Sequence, residues 1–551
     1  MEVNITATTH KTTSRWQLWT LGASSIGVLV LLPILVLFYL SINSDLGIWR
    51  HLVDTVLADY LRTTIILIVG VALLSTLLGV SSALIVSYYN FWGAHFFSWA
   101  LLLPLATPAY ITAYAYTGLL DVAGPVQQQI RQGFDLKVGD YWFPQIRSIG
   151  GAIFVLSFVL YPYIYLLARS AFSEQSAHLS NVAKTLGFNN RQSFLKVSIP
   201  IARPAIVAGL ALVIMETLAD YGAVSYFGLS TFTTGIFRTW YGLDSVNTAA
   251  QLAITLLGFV IIVLILEKSS RRRAAYHSSS QTIKPDKIKL SGHRQLLAIS
   301  ILCLPLLLGF IVPIGQLLIW AIPQTSQFLE TSYWQLVWNT LLLAAITCIL
   351  ATALAMVLVY AHRLNPSRLS LFAKSIAGLG YAIPGLIIAI GILIPLGWFD
   401  NSLDTALRSN FGISSGLLLS GSIVALIIAY LIRFLALAIN SIDSGLSLVQ
   451  PAMDQSARSL GLSTFATIRR VHIPLMRSSV LSGMLIVFVD VMKELPATLV
   501  LRPFNFNTLA VRAYELASDE RLADAALPSI AIVITGLIPI VLLTRIMQSG
   551  N

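Results

Sequence analysis

NVAKTLGFNNRQSFLKVSIP, residues 181–200, and QSARSLGLSTFATIRRVHIP, residues 455–474, are two copies of one pattern. In each copy an Ala lies four residues before a Gly, and a Pro lies thirteen residues after that Gly. Each residue of the second copy lies 274 positions after its counterpart in the first. The matched positions are Ala183, Gly187 and Pro200 in the first copy and Ala457, Gly461 and Pro474 in the second. Two matched segments of this kind indicate an internal duplication.

The composition of the chain requires a lipid bilayer as its solvent. Hydrophobic residues make up 56% of the 551 residues and charged residues only 11%, with a mean hydropathy of +0.79. A soluble domain cannot bury so much apolar surface, whereas a helix of about 20 apolar residues crosses the hydrocarbon layer. The sequence therefore predicts an all-α polytopic membrane protein with about twelve transmembrane helices. The predicted spans are residues 17–42, 59–87, 96–120, 147–170, 203–222, 246–267, 296–320, 336–361, 372–399, 414–439, 478–500 and 525–547.

The distribution of positive charge predicts the orientation of the chain. The formal net charge is +11, and with a cytoplasmic N-terminus most Lys and Arg residues fall in the inside segments. This distribution obeys the positive-inside rule. The basic run Arg271–Arg273 has no interleaved aromatic residues of the kind that bind nucleic acid. The first span lacks an Ala-x-Ala cleavage site and is predicted to be a retained anchor. We therefore expect a multi-pass protein with both termini in the cytoplasm and no nucleic-acid partner.

Side chains that usually perform catalysis or bind metals are sparse. The two cysteines, Cys303 and Cys348, fall inside predicted spans, where small packing residues are more common than disulfides or metal ligands. The sequence has no CxxC or HExxH motif and no nucleophile–base constellation. These patterns argue against a zinc or haem enzyme, and they leave any bound metal unknown.

A polar, basic and Ser-rich segment divides the chain into two halves of six spans. We predict a first transmembrane unit over residues 1–268, a cytoplasmic linker over 269–294 and a second unit over 295–551. Because each half has an even number of spans, the repeat is parallel and predicts a pseudo-twofold axis along the membrane normal, with a pathway between the halves. Further matched positions are Arg62-Thr63 with Asn339-Thr340, Pro108 with Pro384, Thr234 with Thr508, and Arg238 with Arg512.

Each copy of the repeated pattern lies in a polar loop, at residues 172–202 in the first unit and 441–477 in the second. The loop begins with a stretch that favours a short helix, turns at a Gly, and ends at a Pro that suits the first turn of the next span. For a single loop, an amphipathic connector lying on the membrane is the simpler interpretation. Two copies with the same Ala–Gly–Pro spacing favour a functional part used twice, because connectors do not need matched spacing.

The two loops resemble the EAA motif of the permease subunits of binding-protein-dependent ABC importers. The similarity covers nearly the whole chain, as two fused permease units. In that family the loop forms a coupling helix that sits in a cleft of the ATP-hydrolysing subunit. The resemblance implies the type I ABC importer fold, a location in the bacterial inner (plasma) membrane, and ATPase contacts at both loops. The implied coupling residues are Asn181, Ala183, Gly187, Pro200, Gln455, Ala457, Gly461 and Pro474.

Both loops depart from the family pattern at the same two positions, the first two residues of the motif. The Glu of the motif is replaced by Asn181 in one copy and Gln455 in the other, and its first Ala by Val182 and Ser456. These replacements favour docking by shape and by the Gly turn over a contact based on charge.

The partners expected for such a permease follow from a missing ATP-binding motif and from the two repeated loops. It contains no Gly-Lys dipeptide, so a Walker A phosphate-binding loop is absent from its sequence. We predict that the chain is not an enzyme, that it binds no cofactor, and that two copies of a separate ABC ATPase use the ATP. The resemblance also implies a periplasmic binding protein, which we expect at segments 121–146 and 500–524. The lipid bilayer surrounds the spans.

Ionisable residues inside the spans mark a second candidate site, because charge within a bilayer is costly. Two carboxylates four residues apart in the fifth span match two in the eleventh, and this spacing predicts that each pair lies on one helix face. The candidate pathway residues are Glu216, Asp220, Asp490, Lys493 and Glu494. We expect both helices to break at Gly222 and Pro496. The carboxylates either contact the solute, or cap broken backbone and pair with Lys493. Arg433, in the tenth span, is predicted to snorkel or to pair with a neighbouring helix.

The stretch DVMKELPATLVLRPFNFNTLAVRAYELASDERL, residues 490–522, resembles the ferric-iron branch of the permease family. This resemblance implies import of Fe(III) from a periplasmic iron-binding protein, and carboxylate oxygens suit such a hard cation. Thiamine, sulfate and polyamine permeases are alternatives within the family. A twelve-span secondary transporter is less consistent with the sequence, because the loop YYNFWGAH at 88–95 has no Lys or Arg.

Overall fold

Helices account for nearly all of the structure, a computed structural model, which confirms the predicted all-α polytopic architecture. The backbone is described for residues 6–43, 46–173, 189, 192, 194–272, 287–447 and 449–549. Side chains are described within these ranges except at residues 6–17, 46, 194, 271–272, 540 and 542–549.

The helices follow one another with short connections in both halves of the sequence. Those of the first half are α1 (Thr6–Ile42), α2 (Leu46–Thr55), α3 (Leu57–Tyr88), α4 (Ala94–Ala100), α5 (Ala109–Leu120), α6 (Pro125–Phe134), α7 (Ile149–Ser173), α8 (Ile199–Ala219), α9 (Gly222–Tyr226), α10 (Phe232–Gly242) and α11 (Val246–Arg272). Those of the second half are α12 (Gly292–Leu306), α13 (Val312–Ala321), α14 (Thr331–Leu364), α15 (Arg368–Ala377), α16 (Gly385–Phe411), α17 (Ile423–Ser447), α18 (Pro451–Ser459), α19 (Thr464–Thr467), α20 (Ile473–Leu475), α21 (Arg477–Met492), α22 (Pro496–Leu501), α23 (Leu509–Ser518) and α24 (Ala526–Ser549).

The predicted spans coincide with helices, but several are interrupted. In the described part of the chain, nine helices are long and apolar enough to cross a membrane, and two further helix pairs qualify but are bent. The bent pairs are Ala94–Ala106 with Ala109–Phe134, at 90°, and Thr464–Leu475 with Arg477–Met492, at 82°. The prediction of one continuous span over 372–399 is wrong, because α15 ends at Ala377 and α16 begins only at Gly385.

Proline accounts for two of the interruptions. Pro108 and Pro384 have ψ of 145° and 138° and stand directly before the first residues of α5 and α16. A Pro disfavours helical backbone in the residue before it and cannot donate a helical hydrogen bond. The helical segment before each Pro therefore ends in a short 3₁₀ turn, Leu103–Ala106 or Gly380–Ala382. A new helix begins directly after the Pro. The predicted match between the two prolines corresponds to a matched break.

The chain forms two compact units, and neither is a continuous stretch of sequence. One comprises Met1–Ser44 and Glu330–Val511, and the other Asp45–Leu329 and Arg512–Asn551. We call them the 330–511 unit and the 45–329 unit. Helix α1 therefore packs on α14, α15 and α16, while α24 packs on α13 and the 3₁₀ turn before α5. These packing units and the predicted sequence halves are different divisions of the chain.

Small residues bring the helices of each unit close together. Gly209 of α8 faces Ile164 of α7, and a Cβ built at Gly209 would lie 2.8 Å from the Cα of Ile164. In the 330–511 unit, a Cβ built at Gly483 of α21 would lie 2.9 Å from the Cβ of Ser441 in α17. Lipid tails are as apolar as the helices, so close backbone packing at small residues supplies much of the energy that joins them. This packing fixes α8 and α21, the two helices that lead to the candidate site.

The duplication is visible in the helix boundaries. Helices α7 and α17 begin and end 274 positions apart, as do the π-helical turns Phe194–Ser198 and Ile468–His472. Helices α3 and α14, and helices α9 and α22, begin at the same offset. The offset found in the repeated loops therefore extends to the transmembrane helices on either side.

The predicted linker is structured at both ends. Helix α11 continues to Arg272, and strand β2 (Ile288–Lys289) pairs in parallel with strand β1 (Tyr89–Asn90). The Nζ of Lys287 donates to the carbonyl oxygen of Val86 at 2.9 Å, and burial and then the neighbouring Arg169 lower the pKa of Lys287. Residues 273–286 lie outside the described part of the chain.

Candidate functional site

The Ala and the Gly of the repeated pattern form one turn in the second repeated loop (residues 441–477). The N–H of Leu462 donates to the carbonyl of Ala457 at 3.0 Å, and the N–H of Gly461 donates to that of Arg458 at 2.9 Å. This pair of bonds is a Schellman motif, which ends a helix with a left-handed residue. Gly461 is that residue, with a φ of +77°. The termination of α18 therefore explains the four-residue spacing of Ala and Gly.

The segment after the Gly is also built alike in both loops. The side chain of Ser463 accepts a hydrogen bond from a backbone N–H three residues later, at 3.3 Å. Its counterpart in the first repeated loop (residues 172–202), Asn189, makes the same kind of bond at 2.8 Å. A π-helical turn follows in each loop, and Pro200 and Pro474 lie in the first turn of the next helix. Pro has no N–H to donate, so it suits this position.

The second repeated loop has an exposed face and a buried face. Gln455 and Gly461 are exposed, and the apolar side chains of Leu460 and Phe465 are 81% and 69% exposed. Ala457 is only 4% exposed, so its side chain packs into its own unit. The predicted residues Asn181, Ala183 and Gly187 of the first loop lie outside the residues that the structure describes.

Polar side chains hold α18 against the helices behind it. The Oδ2 of Asp454 lies 2.9 Å from Nε and 2.8 Å from Nη2 of Arg363, at the end of α14. The Oδ1 of Asp454 lies 2.6 Å from Nε2 of His472, whose Nδ1 lies 2.7 Å from the hydroxyl of Tyr360. Arg363 also donates to two backbone carbonyls just before and after the end of α17, both at 2.9 Å. The loop is therefore joined to α14 and to the end of α17.

The fifth predicted span breaks at a carboxylate. Helix α8 ends at Ala219, and the Oδ1 of Asp220 accepts hydrogen bonds from the N–H groups of Ala223 and Val224, both at 3.1 Å. Asp220 thus caps the N-terminus of α9, where unpaired N–H groups and the helix dipole favour a negative charge. Glu216, one turn earlier in α8, has no ion pair in the part of the chain that the structure describes.

The eleventh predicted span breaks at the matching position with the matching cap. Helix α21 ends at Met492, and Glu494 accepts hydrogen bonds from the N–H groups of Ala497 at 3.0 Å and Thr498 at 3.1 Å. These two groups lie in the first turn of α22, which begins at Pro496. The predicted breaks at Gly222 and Pro496 are both confirmed.

Basic partners distinguish the second break from the first. The Nη1 of Arg433 lies 3.4 Å from Oε1 of Glu494, and the Nζ of Lys493 lies 2.7 Å from Oδ1 of Asp490. The side chains of Arg433 and Glu494 are only 10% and 2% exposed, so the predicted pairing of Arg433 with a neighbouring helix is confirmed. The residues at the positions of the two cations in the first half are apolar: Val159 and Ala219.

The structure corrects the predicted placement of the acidic pairs. A spacing of four residues predicted each pair on one helix face. Because α8 and α21 end before Asp220 and Glu494, the second carboxylate of each pair lies beyond its helix and bonds the next one. Capping and pairing with Lys493, one of the two interpretations left open, are both present. Only Oδ1 of Asp220 takes part in its cap.

A threonine near the start of a long helix in each half holds the segment that follows the break. The Oγ1 of Thr64 accepts a hydrogen bond from the N–H of Phe232 at 3.3 Å, and the Oγ1 of Thr340 accepts one from the N–H of Leu509 at 2.9 Å. These donors are the first residues of α10 and α23. The predicted alignment of Thr63 with Thr340 is therefore wrong by one residue.

Arg147 joins two of the segments that were predicted to face the periplasm. It lies 3.4 Å from Asp121 and 2.8 Å from Glu520, within one unit. A cavity of about 350 Å³, lined in part by Tyr141 and Arg147, opens beside these ion pairs. The side chains are 36–60% exposed, so each pair contributes at most about 1 kcal/mol to stability.

A family comparison identifies the duplicated architecture. The model of the family described as "Binding-protein-dependent transport system inner membrane component" matches residues 75–275 and again residues 358–549. The chain belongs to this family. Each match contains one repeated loop and one capped break, so these features are parts of two permease domains fused in one chain. The permease is a multi-pass membrane component of a binding-protein-dependent ABC transport system.

Similar permeases differ in the solutes that their names give. The permease is 26% identical to the Fe(3+)-transport system permease protein FbpB 2 of Haemophilus influenzae over 496 residues, which are 89% of this chain and 90% of that relative. It is 27% identical to the sulfate transport system permease protein CysT of Salmonella typhimurium over 209 residues, 37% of this chain and 73% of the relative. It is 24% identical to the molybdenum transport system permease protein ModB of Haemophilus influenzae over 176 residues, 32% and 74% of the two chains. These relatives are permease components rather than enzymes.

Sequence reasoning missed the residues behind α18, although one signal was present. His472 lies inside the second copy of the repeated pattern, where the first copy has Ser198. In the structure His472 bonds Tyr360, and Ser198 forms a side-chain hydrogen bond with Tyr88. A polar residue just before the Ile-Pro pair therefore bonds a Tyr in both halves. Comparison of the two copies at this position could have predicted the contact.

Proposed function

We propose that the permease imports ferric iron, delivered by a periplasmic iron-binding protein, and moves it into the cytoplasm by alternating access. Two copies of a separate ABC ATPase dock on the two repeated loops and use the ATP, while the permease itself binds no cofactor. The chain lies in the bacterial inner (plasma) membrane with both termini in the cytoplasm, in agreement with the positive-inside rule.

The acidic pair at the first break supports a cation over an oxyanion. Glu216 and Asp220 have no basic partner within the described residues. An unneutralised pair of carboxylates in a medium of low dielectric repels an anion such as sulfate or molybdate. The basic residues at the second break, Arg433 and Lys493, each lie against a carboxylate. The charges at both breaks therefore suit a cationic solute.

Further oxygen atoms lie around the first break. Tyr114 of α5 is 1% exposed, its hydroxyl has no hydrogen-bond partner among the described residues, and it lies within electrostatic range of Asp220. The hydroxyl of Tyr514 lies 3.1 Å from that of Ser225 in α9. Hard cations prefer carboxylate and other oxygen ligands. Thiamine and polyamines are also cations, but the similarity to a ferric permease over both halves favours iron.

The five candidate pathway residues then have two roles. Glu216 and Asp220 contact the passing cation, and Asp220 also caps α9. Glu494 caps α22, and its charge and that of Asp490 are balanced by Arg433 and Lys493. Among the described residues, no group of three or more His, Cys, Asp or Glu fits a resident metal ion, and a transient contact needs no such cage.

The ATPase contacts are the exposed face of the second repeated loop and the matching residues of the first. In the second loop, Gln455, Leu460, Gly461 and Phe465 face solvent, and the large apolar side chains among them suit docking by shape. The loop leads through its Pro into the helix that ends at the break. A movement of the loop is therefore passed along α8 or α21 to the capping carboxylate.

Reconstitution in liposomes tests cargo and partners together. The permease and its ATPase are combined with periplasmic proteins that bind iron, sulfate, molybdate or thiamine, and solute uptake and ATP hydrolysis are measured. We expect uptake of iron that needs both ATP and the iron-binding protein. Uptake of another of these solutes instead of iron would overturn the substrate assignment. Uptake of iron without ATP would favour a secondary transporter.

A further inference from the structure

The inner and outer faces of α18 differ in chemistry. On the outer face Gln455 and Arg458, three residues apart, are exposed to solvent. On the inner face the side chain of Asp454 is 20% exposed and lies against two basic groups, Arg363 at 2.8 Å and His472 at 2.6 Å. Neighbouring residues on one short helix thus point to a partner surface and to the permease itself. Substitutions at these two positions can separate docking from transmission.

His472 connects Asp454 to α14 through a close polar contact on one side of its ring and a hydrogen bond on the other. Its side chain is 4% exposed, and its ring stacks on that of Tyr360 with centroids 5.5 Å apart and an interplanar angle of 17°. Nε2 of His472 lies 2.6 Å from Oδ1 of Asp454, a close polar contact without the geometry of a hydrogen bond, and Nδ1 of His472 lies 2.7 Å from the Tyr360 hydroxyl. The cluster is hydrogen-bonded at both ends, because His472 bonds the hydroxyl of Tyr360 and Arg363 donates to Oδ2 of Asp454.

The same residues meet three structural elements of the 330–511 unit. Tyr360 and Arg363 lie in the last turns of α14, and Arg363 donates to carbonyls beside the end of α17. His472 ends the π-helical turn that leads through α20 into α21. Asp454 is the residue of α18 that contacts both Arg363 and His472. A displacement of α18 therefore pulls on α14, α17 and α21 together.

We propose that Asp454, His472, Tyr360 and Arg363 form a latch that transmits the movement of α18 to the transmembrane helices of the 330–511 unit. Asp454 is a positioning residue, since it acts through its two basic partners and touches neither solute nor ATP. The latch rests on the proposed function in that an ATPase must dock on α18. Charge-assisted hydrogen bonds such as Arg363–Asp454 are about twice as strong as neutral ones, so the link resists separation under load.

The first repeated loop has a neutral hydrogen bond at the position that corresponds to His472. Ser198, which lies 274 positions before His472, bonds the side chain of Tyr88. The residue 274 positions before Asp454 is Ser180, which lies outside the described part of the chain. Tyr88→Phe therefore provides a matched variant, because it removes the hydrogen bond between Ser198 and Tyr88 and leaves the latch intact.

The test compares Asp454→Asn with Gln455→Ala in the reconstituted complex of permease, ATPase and iron-binding protein. The single acceptor oxygen of Asn cannot serve both Arg363 and His472. We expect Asp454→Asn to keep ATPase co-purification and stimulated ATP hydrolysis, and to lower iron transported per ATP about tenfold, as expected for lost hydrogen bonds to charged groups. Gln455→Ala is expected to weaken co-purification and to leave transport per ATP unchanged.

Further variants keep the test decisive. Asp454→Glu, which keeps the charge and both acceptor oxygens, should restore most of the transport per ATP. If Asp454→Asn does not assemble, Tyr360→Phe removes only one hydroxyl, and we expect a loss of about threefold, larger than that caused by Tyr88→Phe. Wild-type transport per ATP in both Asp454→Asn and Tyr360→Phe would overturn the latch. A wrong proposed function would give a different result from a wrong latch, because the wild-type complex itself would then show no stimulated ATP hydrolysis.

Discussion

Asp220 and Glu494 cap their helices in the same way but in different charge environments. Each ends a broken span and accepts hydrogen bonds from the first N–H groups of a short helix at 3.0–3.1 Å. At the second break Arg433 and Lys493 balance the two carboxylates, whereas apolar residues stand at their positions in the first half. The cap is thus a shared structural requirement, and the neutralisation is separate from it.

This difference indicates where negative charge is retained for function. Burying a charge lowers the stability of the fold unless an opposite charge lies beside it. Two carboxylates without a basic partner are therefore not explained by stability alone. The second break shows that the fold can hold the same cap with its charge balanced. The charge at Glu216 and Asp220 is therefore the part of the first break that we assign to the solute.

The largest expected effect is the loss of stability in Glu494→Ala relative to Asp220→Ala. Glu494→Ala removes a cap and also leaves Arg433 buried without its partner, which costs about 3–5 kcal/mol. Asp220→Ala removes a cap alone, which costs about 1 kcal/mol. Thermal unfolding of the purified permease in detergent compares the two.

A double variant checks the cause of that difference. Arg433→Leu combined with Glu494→Gln removes both charges and keeps an oxygen that can cap α22, so we expect it to recover most of the stability lost in Glu494→Ala. If Glu494→Ala unfolds at the same temperature as Asp220→Ala, the Arg433–Glu494 pair does not distinguish the breaks.

An intermediate effect is expected in the loop that precedes the second broken helix. Gly461 and Gly412 both follow a helix, with φ of +77° and +68°, and a Cβ at either would meet nothing within 4 Å. Substitution by Val therefore costs about 1–2 kcal/mol through backbone strain at both positions. We expect only Gly461→Val to abolish the ATPase activity stimulated by the binding protein. Equal loss of stimulation in Gly412→Val would remove the special role of the loop turn.

The smallest effect is expected for Lys493→Met, which makes the second break resemble the first. The side chains of Lys493 and Asp490 are 26% and 11% exposed, and a partly solvated pair contributes at most about 1 kcal/mol. We therefore expect a shift of only a few degrees in the unfolding temperature. A loss as large as that of Glu494→Ala would show that Asp490 depends on its partner as strongly as Glu494 does.

The sequence predicted the features that depend on local pattern. The repeat offset, the matched prolines and the breaks at Gly222 and Pro496 follow from spacing and from residues that cannot continue a helix. The cap at Asp220 did not follow, because a spacing of four residues fits a continuous helix as well as a helix that ends one residue earlier. Packing of α1 on α14 also had no sequence signal, since apolar spans resemble one another on all faces.

Iron uptake by two doubly substituted permeases tests most directly whether the unpaired charge at the first break serves the solute. Glu216→Gln with Asp220→Asn removes that charge and keeps a capping oxygen; Asp490→Asn with Lys493→Met removes a balanced pair at the second break. In liposomes with the ATPase and the iron-binding protein, we expect the first variant to lose uptake about tenfold or more, equivalent to roughly 1.4 kcal/mol, and the second to stay within about twofold of wild type. Equal uptake by the two variants, or a greater loss in the second, would contradict the assignment.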